Sequence, residues 1–199
     1  MERIRLKKIL NFFKYVFFGK DLLSDILFIV FIFILFNFVI YPLLQFALAT
    51  PYPIVIVLTN SMEHKHFNLD WYVQHGVIKN PEDWYKFPFP NGINVGDIII
   101  VKGTKNYSIG DVAVYVSPLG VPIVHRIINI TCTEEKCYYT FKGDNSPFPL
   151  PWERKIPQER VVGKVIFRIP YLGLPKVLLI RLICKANPNF GYCVFVNHQ

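Results

Sequence analysis

VPIVHRIINI (121–130) is rich in β-branched residues, opened by a proline and interrupted by His125, Arg126 and Asn129. A short run of this kind bounded by turn residues predicts a β-strand. The acidic turn TEEK (133–136) and CYYTFKG (137–143) follow, so a hairpin is predicted. Upstream lie PIVIVL (53–58), DIIIVK (97–102) and DVAVYV (111–116), and downstream VVGKVIFRI (161–169). Each is apolar and bounded by Gly, Asn, Pro or Asp. Short strands so spaced predict a mainly β fold, an antiparallel β-barrel or sandwich-like domain.

A different pattern precedes the strands. Between Asp25 and Glu63 no Asp, Glu, Lys or Arg occurs, and residues 26–44 read ILFIVFIFILFNFVIYPLL. About 20 apolar residues suffice to span a hydrocarbon core, and a transmembrane helix is expected over 22–47. A secretory signal peptide competes for the same run, but the stretch is long and no clean small-residue cleavage site follows. Arg3, Arg5, Lys7, Lys8, Lys14 and Lys20 outnumber Glu2, Asp21 and Asp25 ahead of it. That excess predicts a cytoplasmic basic segment, 1–21, and an exported remainder. Localisation is therefore expected at the cell or endoplasmic-reticulum membrane, as a single-pass protein.

Composition agrees. The chain has 199 residues, 52% hydrophobic and 18% charged, with a net charge of +8, and its mean hydropathy is +0.32. Disorder needs the opposite balance. Basic residues gathered beside an apolar span point to a lipid surface, and no nucleic-acid partner is expected.

The expected exported β-rich domain covers 48–173. It holds an aromatic-rich insertion at 64–94, whose Trp71, Trp84, Tyr85, Phe87 and Phe89 either pack over the sheet or enter the membrane interface. The tail, 174–199, includes most of LGLPKVLLIRLIC (172–184), too short and too charged to span. It predicts a basic, apolar surface resting on lipid. Cys132 with Cys137 and Cys184 with Cys193 form two possible disulfides, or all four stay free. His and Cys do not cluster, so no metal site is expected.

Chemistry centres on Ser61, just past the first strand. A serine becomes a nucleophile when a base takes its proton and donors hold the resulting oxyanion. The Ser61 amide and the Thr59 hydroxyl are the nearby donors. His125, inside its apolar strand, is the candidate base, with His64 and His66 closer in sequence. Asp144 ends the next strand, and hairpin pairing is expected to bring it beside His125. Each feature also has a plain structural reading, as a polar turn, a sheet histidine and a Gly-Asp-Asn turn.

Taken in order, Ser61-Met62-Glu63, Gly96-Asp97-Ile98-Ile99, Gly110-Asp111-Val112, His125-Arg126-Ile127, Lys142-Gly143-Asp144-Asn145, Val162-Gly163-Lys164-Val165 and Ile169-Pro170-Tyr171-Leu172-Gly173 resemble signal peptidase I of the archaeal and endoplasmic-reticulum, Sec11-like type. The bacterial branch carries lysine where His125 stands. The resemblance implies a serine endopeptidase that removes signal peptides from secreted precursors, with no cofactor. Ser61 would be the nucleophile, His125 the general base, Asp144 its orienting carboxylate, and Thr59 and Ser61 the oxyanion hole. The implied partners are signal-peptide-bearing precursors, the lipid bilayer, and a translocon or other peptidase subunits. Two positions depart from the family pattern. His64 stands where proline is usual, and Leu150 where a second aspartate is common, which leaves Asp144 as the best remaining carboxylate and Glu153 as a distant alternative. Loss of that aspartate makes a non-catalytic signal-peptide-binding relative or accessory subunit the rival reading.

Overall fold

The structure is a computed structural model that describes residues 2–187 and Cys193. The chain divides into two compact units, Met1–Ala47 and Leu48–Gln199.

In the first unit, α1 (Glu2–Phe18) and α2 (Leu22–Leu35) are separated by Gly19, where a Cβ would strike Ser24. Asp21 caps α2, its carboxylate accepting from the Ser24 amide at 3.2 Å. Phe17 sits edge-on to Phe28 and Phe31, centroids 5.6 and 5.3 Å away, so the two helices pack on each other. α2 runs through a π-helical turn, Phe36–Ile40, into α3 (Tyr41–Ala47). Pro42 has no N–H to donate and its ring crowds the carbonyl one turn back, which accounts for the widened turn there. Leu22–Ala47 is one helix of 26 residues, long and apolar enough to cross a membrane. At 1.5 Å per residue it reaches about 39 Å, against about 30 Å of hydrocarbon.

The second unit is built on one curled antiparallel sheet of seven strands among the described residues. These are β1 (Ile54–Ile56), β2 (Ile98–Lys102), β3 (Val112–Val116), β4 (Pro122–Cys132), β5 (Cys137–Lys142), β6 (Ile156–Pro157) and β7 (Val161–Ile169). They lie in the order β1-β2-β7-β3-β4-β5-β6, a half-barrel with β1 and β6 at its edges. The mainly β fold read from the sequence is therefore found. Central β3 explains why its segment is so uniformly apolar: Val112 and Val114 join one core with Ile99, Val101 and Val165, while Ala113 and Tyr115 join another with Ile127 and Phe141. Both faces of the strand are covered. Side chains alternate along a strand, and this alternation governs the site described below.

The insertion packs on the sheet. It forms α4 (Leu69–Gln74), capped by Asn68, and a 3-10 turn (Pro81–Lys86). Trp71, Tyr72, Ile78 and Trp84 are buried together against Ile128 of β4, while Tyr85 stays exposed. After β7, α5 (Leu174–Ala186) begins beside β1 and β2. The Gly173 amide donates to Gly96 O at 2.8 Å, and a Cβ on Gly173 would meet Ile56. Disulfides join Cys132 to Cys137, closing the β4–β5 hairpin, and Cys184 to Cys193. The expected tail beyond α5, apart from Asn187 and Cys193, lies outside the described residues.

Candidate active site

Ser61 follows β1 on a turn and is nearly buried, 8% exposed. Its Oγ lies 3.3 Å from the Thr59 hydroxyl. The loop after β5 fastens the Ser61 turn from the other side. The Asn145 amide donates to Ser61 O at 2.8 Å, and the Asn145 side chain donates to Asn60 O at 3.1 Å. Gly143 stands between Ser61 and His125. A Cβ there would lie 2.8 Å from Ser61 O and 3.0 Å from His125 Nε2, a space that only glycine leaves open. Gly143→Ala is accordingly expected to move one wall of this gap, read as altered Ser61 or His125 chemical shifts with the sheet retained.

His125 on β4 pairs with Ala113 of β3 and is fully buried. Its Nδ1 donates to Glu153 Oε1, which also accepts the Tyr115 hydroxyl at 2.6 Å. The other oxygen, Oε2, accepts the Leu150 amide at 2.7 Å. Glu153 sits at the end of a 3-10 turn, Pro151–Glu153, which folds its carboxylate back over Leu150. Burial opposes the charge of Glu153, but the His125 ring and its donors outweigh that and hold its pKa below the usual carboxylate range. An ionised carboxylate only accepts, so the proton of this hydrogen bond is carried by Nδ1. Nε2 is buried and has no hydrogen-bond partner among the described residues. Tyr115 keeps its proton: burial and then the Glu153 charge push its pKa well up.

Asp144, expected beside His125, makes other contacts. Its carboxylate accepts from Arg126 Nε at 2.9 Å and from a terminal Arg126 nitrogen at 2.7 Å. It also accepts the Tyr72 hydroxyl at 2.9 Å, and His64 Nε2 lies 3.0 Å away. Arg126 and His125 are consecutive in β4 and therefore project to opposite faces. The hairpin register sets Arg126 against Lys142, so the loop after Lys142 offers its carboxylate on the face Arg126 occupies. The remaining Arg126 donors reach Pro88 O, Gly110 O and Phe89 O. Trp84 covers the guanidinium, 4.5 Å from its ring centroid, and Lys142 Nζ lies 4.8 and 4.7 Å from the Trp71 and Tyr72 rings. The aromatic insertion is thus the lid over two buried cations, a role that cation–π attraction suits.

Burial raises the Asp144 pKa, but Arg126 and then His64 outweigh it and bring it down to about 2. A depressed carboxylate adds stability that is complete above the ordinary aspartate value near 4 and lost as pH falls toward the folded value. Acid unfolding is expected in that window, and a chemical-denaturation series from pH 5 to pH 2 checks it. Lys142 is shifted in the same direction for a different reason. Burial lowers its pKa to about 8, with Asp144 and Glu153 resisting. The unfolded chain then binds more protons above pH 8, so stability should rise from about 8 to about 10.5. Lys142→Met should flatten that rise in thermal melts.

Of the residues singled out in the sequence, Ser61, Thr59, His125 and Glu153 come to one side of Gly143, while Asp144 ties down the loop from the other face. Tyr115 and Arg126 were not expected in these roles. Among the described residues, no cluster of His, Cys, Asp and Glu is placed to hold a metal.

The curled antiparallel sheet brings a serine, a histidine and a buried carboxylate near Gly143, in a chain with one helix long and apolar enough to cross a membrane. The chain is similar to the signal peptidase complex catalytic subunit sec11 of Schizosaccharomyces pombe, 26% identical over 151 residues that cover 70% of this chain and 73% of that protein. That similarity agrees with the resemblance carried by the sequence motifs. No protein-family model matches the chain.

Proposed function

We propose that this protein is a membrane-bound serine endopeptidase that removes signal peptides from exported precursors. The observation that carries the reading is the His125 ring: one nitrogen is fixed by Glu153 and the other is buried, unpartnered and turned to the Gly143 gap beside Ser61. A buried polar atom without a partner is rare and calls for a functional explanation.

In this mechanism His125 Nε2 takes the Ser61 proton as Oγ attacks the scissile carbonyl. Glu153 stabilises the resulting imidazolium. The Ser61 amide and the Thr59 hydroxyl hold the developing oxyanion. Collapse of the tetrahedral intermediate passes the proton from His125 to the leaving amine, freeing the mature protein. Water activated by the same ring then releases the signal peptide from Ser61. The outer side of β1 has no strand partner among the described residues, and an extended peptide adding there would run toward Ser61. Similarity to a signal peptidase subunit and the span at Leu22–Ala47 support the substrate class and a membrane location. The basic N-terminal segment supports a cytoplasmic N-terminus, and two disulfides fit an oxidising exterior. Precursors are the expected partners, with translocon or peptidase subunits beside them.

The test is to reconstitute the full chain in vesicles with a signal-peptide precursor and sequence the product N-terminus. A single new terminus after a small residue supports the proposal. A bound but uncut precursor would favour the non-catalytic alternative that Leu150 raises.

A further inference from the structure

Helix α5 is built inside out. Its buried stripe is Val177 and Cys184, while Leu178, Leu179 and Leu182 are 57%, 57% and 66% exposed. At about 100° per residue, Leu179, Leu182 and Ala186 lie opposite that stripe, with Leu178 and Ile183 beside them. Lys176 stands on one flank, Arg181 and Lys185 on the other, and no acidic residue occurs in the helix. A helix of a water-facing domain turns its polar side outward. Here the outward pole is leucine, and the cations line its margins. The exposed Leu172, just ahead of the helix, extends the apolar run.

We infer that the outer face of α5 is a second membrane contact, in which the leucines enter the headgroup–acyl boundary of an anionic bilayer and Lys176, Arg181 and Lys185 meet its phosphates. Charge favours lipid as the occupant. Cations without an ion-pair partner among the described residues, set around an apolar centre, match anionic headgroups around hydrocarbon, and long basic side chains keep their charge at the interface while their stems lie in apolar surroundings. The chain already carries a helix able to span a bilayer, so α5 meets lipid at high effective concentration. The contact also bears on the site, because Gly173, at the start of α5, is hydrogen-bonded to Gly96 and packed against Ile56 of β1. A docked α5 would orient the edge strand and Ser61 relative to the membrane. The inference does not depend on peptidase activity.

The experiment uses the full chain in phosphatidylcholine–phosphatidylglycerol vesicles containing brominated phosphatidylcholine, with a tryptophan introduced as Leu182→Trp and, separately, as Leu179→Trp. A docked helix lies roughly 5–10 Å into the boundary, within reach of bromines near the top of the acyl chains. Both added tryptophans should lose most of their fluorescence relative to the parent chain. Replacing Lys176, Arg181 and Lys185 with Gln should restore it, as should high salt. Phe33→Trp, in α2, reports insertion of the span independently. Quenching at Phe33→Trp with none at 179 or 182 overturns the inference and leaves a protein surface, from a second copy or another subunit, as the cover. Quenching that ignores both charge removal and salt overturns its electrostatic half.

Discussion

Ser61→Ala and His125→Ala should each reduce precursor cleavage by a factor on the order of 10⁴–10⁶, with the fold intact. The size follows from the chemistry. A serine hydroxyl without a base, or a base without a nucleophile, leaves only substrate positioning and oxyanion donors, and the two losses are not additive because the groups act as one unit. The double variant should therefore be about as slow as either single one. Ser61 sits in a turn and its Oγ lies 3.3 Å from the Thr59 hydroxyl, so loss of that one contact should leave melting behaviour close to that of the parent. Rate constants from vesicle-bound enzyme, read beside circular dichroism melts, give both quantities. Cleavage that survives Ser61→Ala would end the proposed mechanism.

The second large effect separates two carboxylates. Asp144→Asn removes the charge that neutralises buried Arg126, and breaking a buried pair costs about 3–5 kcal/mol. Loss of fold is its expected signature, with the lid residues Trp71 and Trp84 exposed and their fluorescence shifted to the red. Glu153→Gln should behave differently. A glutamine accepts from His125 less strongly and can turn its NH₂ toward the ring, which favours the wrong tautomer. Turnover should then fall by roughly 10³–10⁴ while a larger share of the fold survives, because the amide still accepts from Tyr115 or Leu150. If Asp144→Asn is stable but inactive and Glu153→Gln is nearly normal, the two carboxylates have been assigned in reverse.

Much of this was legible before any coordinates. The strands showed as short β-branched runs between turn residues, and the apolar, uncharged run at 26–44 is long enough for a membrane-crossing helix. Ser61 and His125 stood out because motif order selected them. The partner of His125 did not. Hairpin adjacency put Asp144 next to His125, but a one-residue step along a strand changes the face, and Asp144 went to Arg126. Glu153 was hidden because its position depends on a 3-10 turn closing over Leu150, a local fold with no periodic signal. The insertion was ambiguous for a related reason. Its aromatic residues suited either lipid or a core, and only the buried cations Arg126 and Lys142 decide between them. Nothing near 64–94 in the sequence names those cations.

The account rests on an imidazole held by Glu153 with its other nitrogen free beside Ser61. Nitrogen NMR of ¹⁵N-histidine-labelled protein, with the His125 signals assigned by difference, tests this directly. The predicted result is a protonated Nδ1, a bare Nε2, and a Nδ1 proton signal that moves sharply in Glu153→Gln but little in Asp144→Asn. A proton on Nε2, or a ring that responds to Asp144 and ignores Glu153, would contradict it.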